Sequence, residues 1–188
     1  MGNQPNREEA MELLKEYTKS EALITHAMTV EGVMRHFSRL LGEDEDKWGV
    51  IGLLHDLDYE LYPEQHCIKV QEIMRERDMD EDYIHAVASH GYGICCDIEP
   101  VHIMEKVLYT IDELTGLITA AAIMRPSKSV MDLELKSVKK KYKSKNFAAG
   151  VNREVIESGA KMLNMDLNFI IEETIQGMRE IADSIGLA

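Results

Sequence analysis

The sequence predicts an all-α fold, and three observations carry that reading. Apolar residues recur at helical spacing in almost every segment, and no stretch alternates apolar with polar residues as a half-buried strand does. Capping residues such as Asn6, Ser20 and Asp80 precede the apolar runs. Breakers follow them, with Gly42, Gly91, Gly93 and Pro126 as the clearest stops.

Taken in order, Asn6 is expected to cap a first helix, REEAMELLKEY, whose early acids suit the positive end of the helix dipole. Ser20 opens a second, with Leu23, Val30, Val33, Phe37 and Leu40 as apolar positions and Gly42 as its stop. A third covers about residues 46–56. Pro63 opens a fourth through EQHCIKVQEIMRER, and Asp80 caps a fifth that breaks at SHGYG. Pro100 suits the first turn of a sixth and longest helix, PVHIMEKVLYTIDELTGLITAAAIM, closed by Pro126. Three more are expected from about Val130, from Asn152, and from Asp166 to near Ile185. With no internal repeat or low-complexity linker, residues 1–188 are expected to form a single domain of about eight or nine helices. Its core would span about residues 20–125, with a C-terminal helical extension over about 126–188.

The formal charge of −13 disfavours an extended nucleic acid as partner. No run of eighteen apolar residues is present, so no membrane span is expected. The N-terminus lacks the basic-then-apolar plan of a secretion signal, which makes the cytoplasm the expected location. Cys67, Cys95 and Cys96 build no disulfide framework and read as small thiols in a reduced compartment. One segment departs from the acidic trend: KSVKKKYKSK, residues 136–145, holds six lysines and no acid. It reads either as a solvated helix end or as an electropositive lip for an anionic ligand. In the second case RPSKS, with Arg125 and Lys128, belongs to the same lip.

The chemistry lies in polar residues on faces that should be apolar. His26 shares a face with Val30, Val33 and Phe37, and Asp112 shares one with Met104, Leu108 and Thr115. His55 and Asp56 follow directly on the apolar run of the third helix. An ionised carboxylate on a buried stripe costs roughly several kcal/mol unless a cation or good donors meet it. A divalent metal accepts imidazole and carboxylate lone pairs together, and its charge offsets their desolvation.

The order and spacing of these residues resemble the HD superfamily of metal-dependent phosphohydrolases, whose signature is H…HD…D. His26 lies in LITHAMTVEGVMRHF, His55 and Asp56 in GLLHDLD, and Asp112 in VLYTIDELTGLI. HCIKVQEIM and YIHAVASHGYG add His66 and His90, which resembles the HDIG-related subgroup with two further histidines before the last Asp. The resemblance implies a first metal held by His26, His55, Asp56 and Asp112, and a second held by Asp56, His66 and His90. Two divalent ions of Fe, Mn, Co or Ni suit such a ligand mix. Asp58 stands where the HDIG pattern has glycine, and it is expected to orient water or to support a ligand.

Lys69, three residues after His66, is expected on the same helical face as a phosphate-pairing cation. Gly116, four after Asp112, would let substrate approach. His36 is expected on the surface, and His85 and His102 in structural or exposed positions.

The implied reaction is hydrolysis of a phosphate ester or anhydride in a small molecule, nucleotides foremost, by a hydroxide held between two metals. Bacterial diadenosine-tetraphosphate hydrolases of the superfamily use the same six-residue set. No GxxxxGK[ST] or GxGxxG loop is present, so a nucleotide would not be held in the P-loop or Rossmann manner. The alternatives are a di-iron oxygenase built on the same cage and a nucleotide-binding module without turnover. The sequence leaves the oligomeric state open.

Overall fold

The computed structural model describes residues 2–188. Among them lie nine α-helices: α1 (Arg7–Tyr17), α2 (Glu21–Leu41), α3 (Glu45–Leu54), α4 (Lys69–Glu76), α5 (Glu81–Ser89), α6 (Ile103–Ile123), α7 (Leu135–Tyr142), α8 (Arg153–Leu163) and α9 (Leu167–Glu180). The all-α expectation holds. The caps explain most of the boundaries. Asn6 and Glu9 form a reciprocal capping box, Ser20 accepts from the Leu23 amide, and Gly42 ends α2 at φ 74°. Asn152 and Asp166 each accept amides of the helix that they precede.

Four boundaries differ from expectation. Pro63 opens only a 3₁₀ turn, Pro63–Gln65, and α4 starts at Lys69, leaving His66 between the two. The sixth helix starts after Pro100, at Ile103, because His102 is a better cap. Its Nδ1 accepts the Met104 amide at 3.1 Å, while Glu105 accepts the His102 amide at 3.0 Å. The seventh begins at Leu135 rather than Val130, whose amide is engaged with the Leu187 carbonyl at 2.8 Å. The ninth ends at Glu180 and gives way to turns before Ile185.

α2 and α6 run through one apolar cluster that extends from Ala10 to Leu187. Phe37, Trp48, Ile51, Leu54, Leu108 and Ile111 lie fully inside it, each contributing roughly 1.5–3 kcal/mol by leaving water. α3 presses closely on α2, since a Cβ on Gly52 would sit 3.0 Å from Met34 Cγ and 3.1 Å from Glu31 Cα. α8 approaches α6 more closely still: a Cβ on Gly159 would lie 2.0 Å from Thr110 Oγ1.

The C-terminal helices therefore complete the core, with Ile156, Ile170, Ile171 and Met178 buried in the same cluster. His36 is not a free surface residue. It is largely buried between α2 and α9, with Nε2 at 2.7 Å from Glu173 and Nδ1 at 2.8 Å from Glu180.

Residues 143–152 cross from α7 to α8 without regular structure, and Arg153 holds them together. Its Nε donates to Tyr142 O at 2.8 Å, Nη1 to Ala148 O and Val151 O at 3.3 and 3.2 Å, and Nη2 to Ser144 O and Phe147 O at 3.1 and 2.6 Å. One guanidinium thus gathers five main-chain carbonyls, of which Ser144 O and Ala148 O also accept the Phe147 and Val151 amides. Arg153→Ala is expected to cost about 2–3 kcal/mol and to open this connection to trypsin at Lys143 and Lys145, with helix content preserved. Cleavage no faster than in the wild type would show that Arg153 does not hold the loop.

Candidate metal centre

The site forms where α2 and α6 lie beside the C-terminal ends of α3 and α5. Carbonyls in the last turn of a helix have acceptor capacity to spare, and two histidines use it, although Val87 O also takes a long bond of 3.4 Å from the His90 amide. His55, the residue after α3, donates from Nδ1 to Gly52 O at 2.8 Å; His90, after α5, donates from Nδ1 to Val87 O at 2.6 Å. A carbonyl only accepts, so these partners assign the proton to Nδ1 and leave a lone pair on Nε2 of each neutral ring. His66 is fixed in the same sense by a carboxylate: its Nδ1 lies 2.7 Å from Asp58 Oδ1.

The free faces of these rings converge. His66 Nε2 and His90 Nε2 are 3.1 Å apart, and each lies 3.4 Å from Asp56 Oδ1. His55 Nε2 lies 3.3 Å from Asp56 Oδ2 and 3.4 Å from Asp112 Oδ1, and it is buried without a hydrogen-bond partner. His26, on α2, approaches Asp112 Oδ1 to 2.9 Å and Asp56 Oδ2 to 3.7 Å with Nε2. The six side chains singled out in the sequence are therefore in one place, drawn from four helices or their ends and from the turn before α4.

Acceptors facing acceptors at these distances require protons or cations between them. With protons alone, His55 takes up part of the strain. Burial opposes its charge, but Asp56 and Asp112 hold its pKa well above the ordinary histidine value. Burial likewise opposes ionisation of Asp56 and Asp112, yet the neighbouring histidines, His55 foremost, keep both well below the usual carboxylate range. A divalent cation fits the same donors better, since imidazole and carboxylate oxygen suit first-row metals and the far ring nitrogens are already anchored.

Asp58 is fully buried, and its second oxygen accepts the Val70 amide at 2.8 Å. Both oxygens are occupied behind His66, so Asp58 orients that ring and does not reach water in the cavity. Cys67 is a further donor beside His66 and His90, although its sequence context marks it only as a small thiol. It adopts φ 65°, and its Sγ lies 3.9 Å from both ring nitrogens of His90. Gly91 makes room for the thiols, since a Cβ there would meet Cys95 Sγ at 2.3 Å and Cys67 Sγ at 2.4 Å.

The cluster opens onto a cavity of about 380 Å³, an ordinary size for a small-molecule site. Its walls include Tyr59, Ile94, Tyr109 and Glu113 on one part, and Gly150, Val151 and Val155 of the Arg153-bound connection and α8 on another. None of these was singled out in the sequence. The loop residues follow no period, and only Glu113, beside a ligand on α6, carried a usable hint. Gly116 does line the cavity, and a Cβ there would meet only Val151 Cγ2 at 3.8 Å.

The expected phosphate-pairing cations are elsewhere. His66 is not helical, so Lys69 does not share its face; Lys69 pairs with Glu72 and lies over the Tyr62 ring at 5.5 Å. Arg125 lies two residues past the end of α6, and the helix alone carries the chain roughly 16 Å along its axis from Asp112 to Ile123. Arg125 pairs with Asp132 at 2.8 and 2.9 Å, and Lys128 lies exposed in the turn that follows. Lys136, Lys139, Lys140 and Lys143 border a separate groove along α7, which does not support a lysine lip at this cavity.

A helical scaffold carrying a clustered imidazole and carboxylate site defines a class of metal-binding α-domains. The family model described as "HD domain" matches residues 23–140, and the chain belongs to the HD domain family. HD domains bind divalent metals and place the chain in a superfamily of metal-dependent phosphohydrolases. No curated protein and no solved structure matches the chain. No helix among the described residues is long and apolar enough to cross a membrane.

The pKa directions fix how the metal-free protein responds to pH. His55 is raised, so its contribution is complete below about 6.5, the unfolded value, and is lost as pH rises through the folded one. Asp56 and Asp112 are depressed, so theirs is complete above about 3.9 and is lost as pH falls through the folded values. Urea midpoints in a chelator are therefore expected to peak between about pH 4 and 6.5 and to fall on the alkaline side. Saturating Mn²⁺ should remove that alkaline fall, because the cation replaces the proton. A metal-free stability that climbs steadily from pH 6 to 9 would contradict this.

Proposed function

We propose that this chain is a phosphohydrolase that cleaves a phosphate ester or anhydride of a small molecule, a nucleotide foremost, at a site for two divalent cations. The observation that carries the reading is the position of Asp56. Its Oδ1 faces the His66 and His90 pair, and its Oδ2 faces His26 and His55. His26, His55 and Asp112 would hold one cation, His66 and His90 the other, with Asp56 shared. His66 and His90 also support placing the chain with HDIG-related proteins.

When bound, such a pair of cations activates a water for attack on phosphorus and neutralises charge on the phosphoryl oxygens. The chain supplies positioning. Gly52 O, Val87 O and Asp58 hold three rings from behind, so little reorganisation is left for the reacting state. Tyr59, Ile94, Val151 and Val155 form apolar walls that limit bulk water around the reacting group. No protein nucleophile is needed. The one thiol bordering the cavity, Cys95, is drawn down by Cys67 but more strongly pushed up by Cys96 and by burial, to about 11, and stays protonated at neutral pH.

Elemental analysis and Mn²⁺-supported turnover of an aryl phosphate test the reading together. Wild type should hold two metals per chain. Asp56→Ala is expected to lose both and to lower turnover by at least about 1,000-fold, a size in keeping with loss of the main electrostatic contribution. His66→Ala should keep one metal and lose most activity. Two metals retained by Asp56→Ala would refute the shared ligand. Full occupancy without hydrolysis, with oxygen uptake by the iron-loaded protein, would point to the oxygenase chemistry of the same cage.

A further inference from the structure

The cavity contains a carboxylate that the metal cluster does not use. Glu113 follows Asp112 on α6 and lines the cavity, where its Oε2 accepts the Asn152 amide at 3.0 Å. Asn152 is the cap of α8, so this bond ties Glu113 to the opposite wall and keeps it from turning away. No hydrogen bond engages its other oxygen among the described residues. No lysine or arginine lines the cavity either. Lys69 is held by Glu72, Arg125 by Asp132, and Arg153 by the carbonyls of its own loop. Beyond any cations held by the cluster, the cavity offers an incoming substrate one further carboxylate, the neutral side chains of Tyr59, Tyr109 and Cys95, and apolar surface.

This arrangement is unsuited to a chain of phosphates. Each additional anionic group would lie near Glu113 without a side-chain cation, and like charges at short range in a partly enclosed site repel strongly. A carboxylate held in place instead accepts hydrogen bonds from ammonium or hydroxyl groups. Tyr59, Ile94, Tyr109, Val151 and Val155 receive the uncharged part of such a molecule.

We propose that Glu113 selects the substrate, which is a phosphate monoester whose remaining part is uncharged or cationic and presents an N–H or O–H donor to that carboxylate. Nucleoside monophosphates belong to this class; nucleoside polyphosphates and dinucleoside polyphosphates do not. The inference rests on the phosphohydrolase reading above and narrows it.

Calorimetric titration of the Mn²⁺-loaded protein with three phosphonates of matched length tests it without turnover. The probes are propylphosphonate, 3-aminopropylphosphonate and 3-phosphonopropionate, with orthophosphate alongside. The amine should bind at least as tightly as the propyl compound, and the carboxylate about tenfold more weakly, the effect of one unscreened like charge. In Glu113→Gln, which keeps an acceptor for the Asn152 amide, the three affinities should draw together. A wild-type protein that binds the carboxylate as well as the propyl compound overturns the proposal, as does a penalty that persists in Glu113→Gln. If orthophosphate itself fails to bind the loaded protein, the phosphohydrolase reading falls too. If orthophosphate binds while tail charge is ignored, only the role of Glu113 falls.

Discussion

Three imidazoles with their Nδ1 protons anchored behind them, and their Nε2 lone pairs turned toward two carboxylates, are the constraint on which the rest of the structure depends. His55 and His90 lean on the Gly52 and Val87 carbonyls at the helix ends, and His66 on Asp58. Rotating any ring to relieve the crowding would break an anchoring bond in a buried place, at a cost of roughly 1–3 kcal/mol. The repulsion in front is thus maintained by the fold, and a cation relieves it. Asp56, one residue beyond His55, then divides its two oxygens between neighbouring pairs of rings.

The scaffold serves this convergence through close helix contacts and helix ends. Gly52 lets α3 lie tightly on α2, which brings the end of α3 alongside His26. α6 supplies Asp112 from its middle, where the helix is braced by α2 and by α8. The far wall of the cavity is helical only at Val155 of α8, and its Gly150 and Val151 part belongs to the loop that Arg153 holds by hydrogen bonds to main-chain carbonyls. The clustered side chains and the far wall are therefore held by different means: the first by helices that share one apolar cluster, the second in part by a polar loop fixed by one guanidinium.

The legible part of the sequence was the part governed by period and capping. Asn6, Ser20 and Gly42 sit where their side chains or backbone freedom complete a helix end. His26 and Asp112 were conspicuous because each interrupts an apolar face, and their meeting at 2.9 Å joins residues 86 positions apart. Less was legible where local chemistry outweighed period. Pro63 suggested a helix through His66, but the chain makes a 3₁₀ turn and passes through Cys67 at φ 65°, which no apolar pattern announces. Lys69 and the RPSKS segment drew attention by charge alone, and charge does not show which acid, Glu72 or Asp132, neutralises a side chain. Glu113 offers only its place beside Asp112 as a hint, since its contact with Asn152 is contained in no pattern along α6.

The most direct measurement is anomalous diffraction from crystals of the Mn²⁺-loaded protein. The account requires two peaks roughly 3.5–4 Å apart on either side of the Asp56 carboxylate, one bounded by His26, His55 and Asp112 and the other by His66 and His90. A single peak, or a pair in which Asp56 touches only one ion, would contradict it.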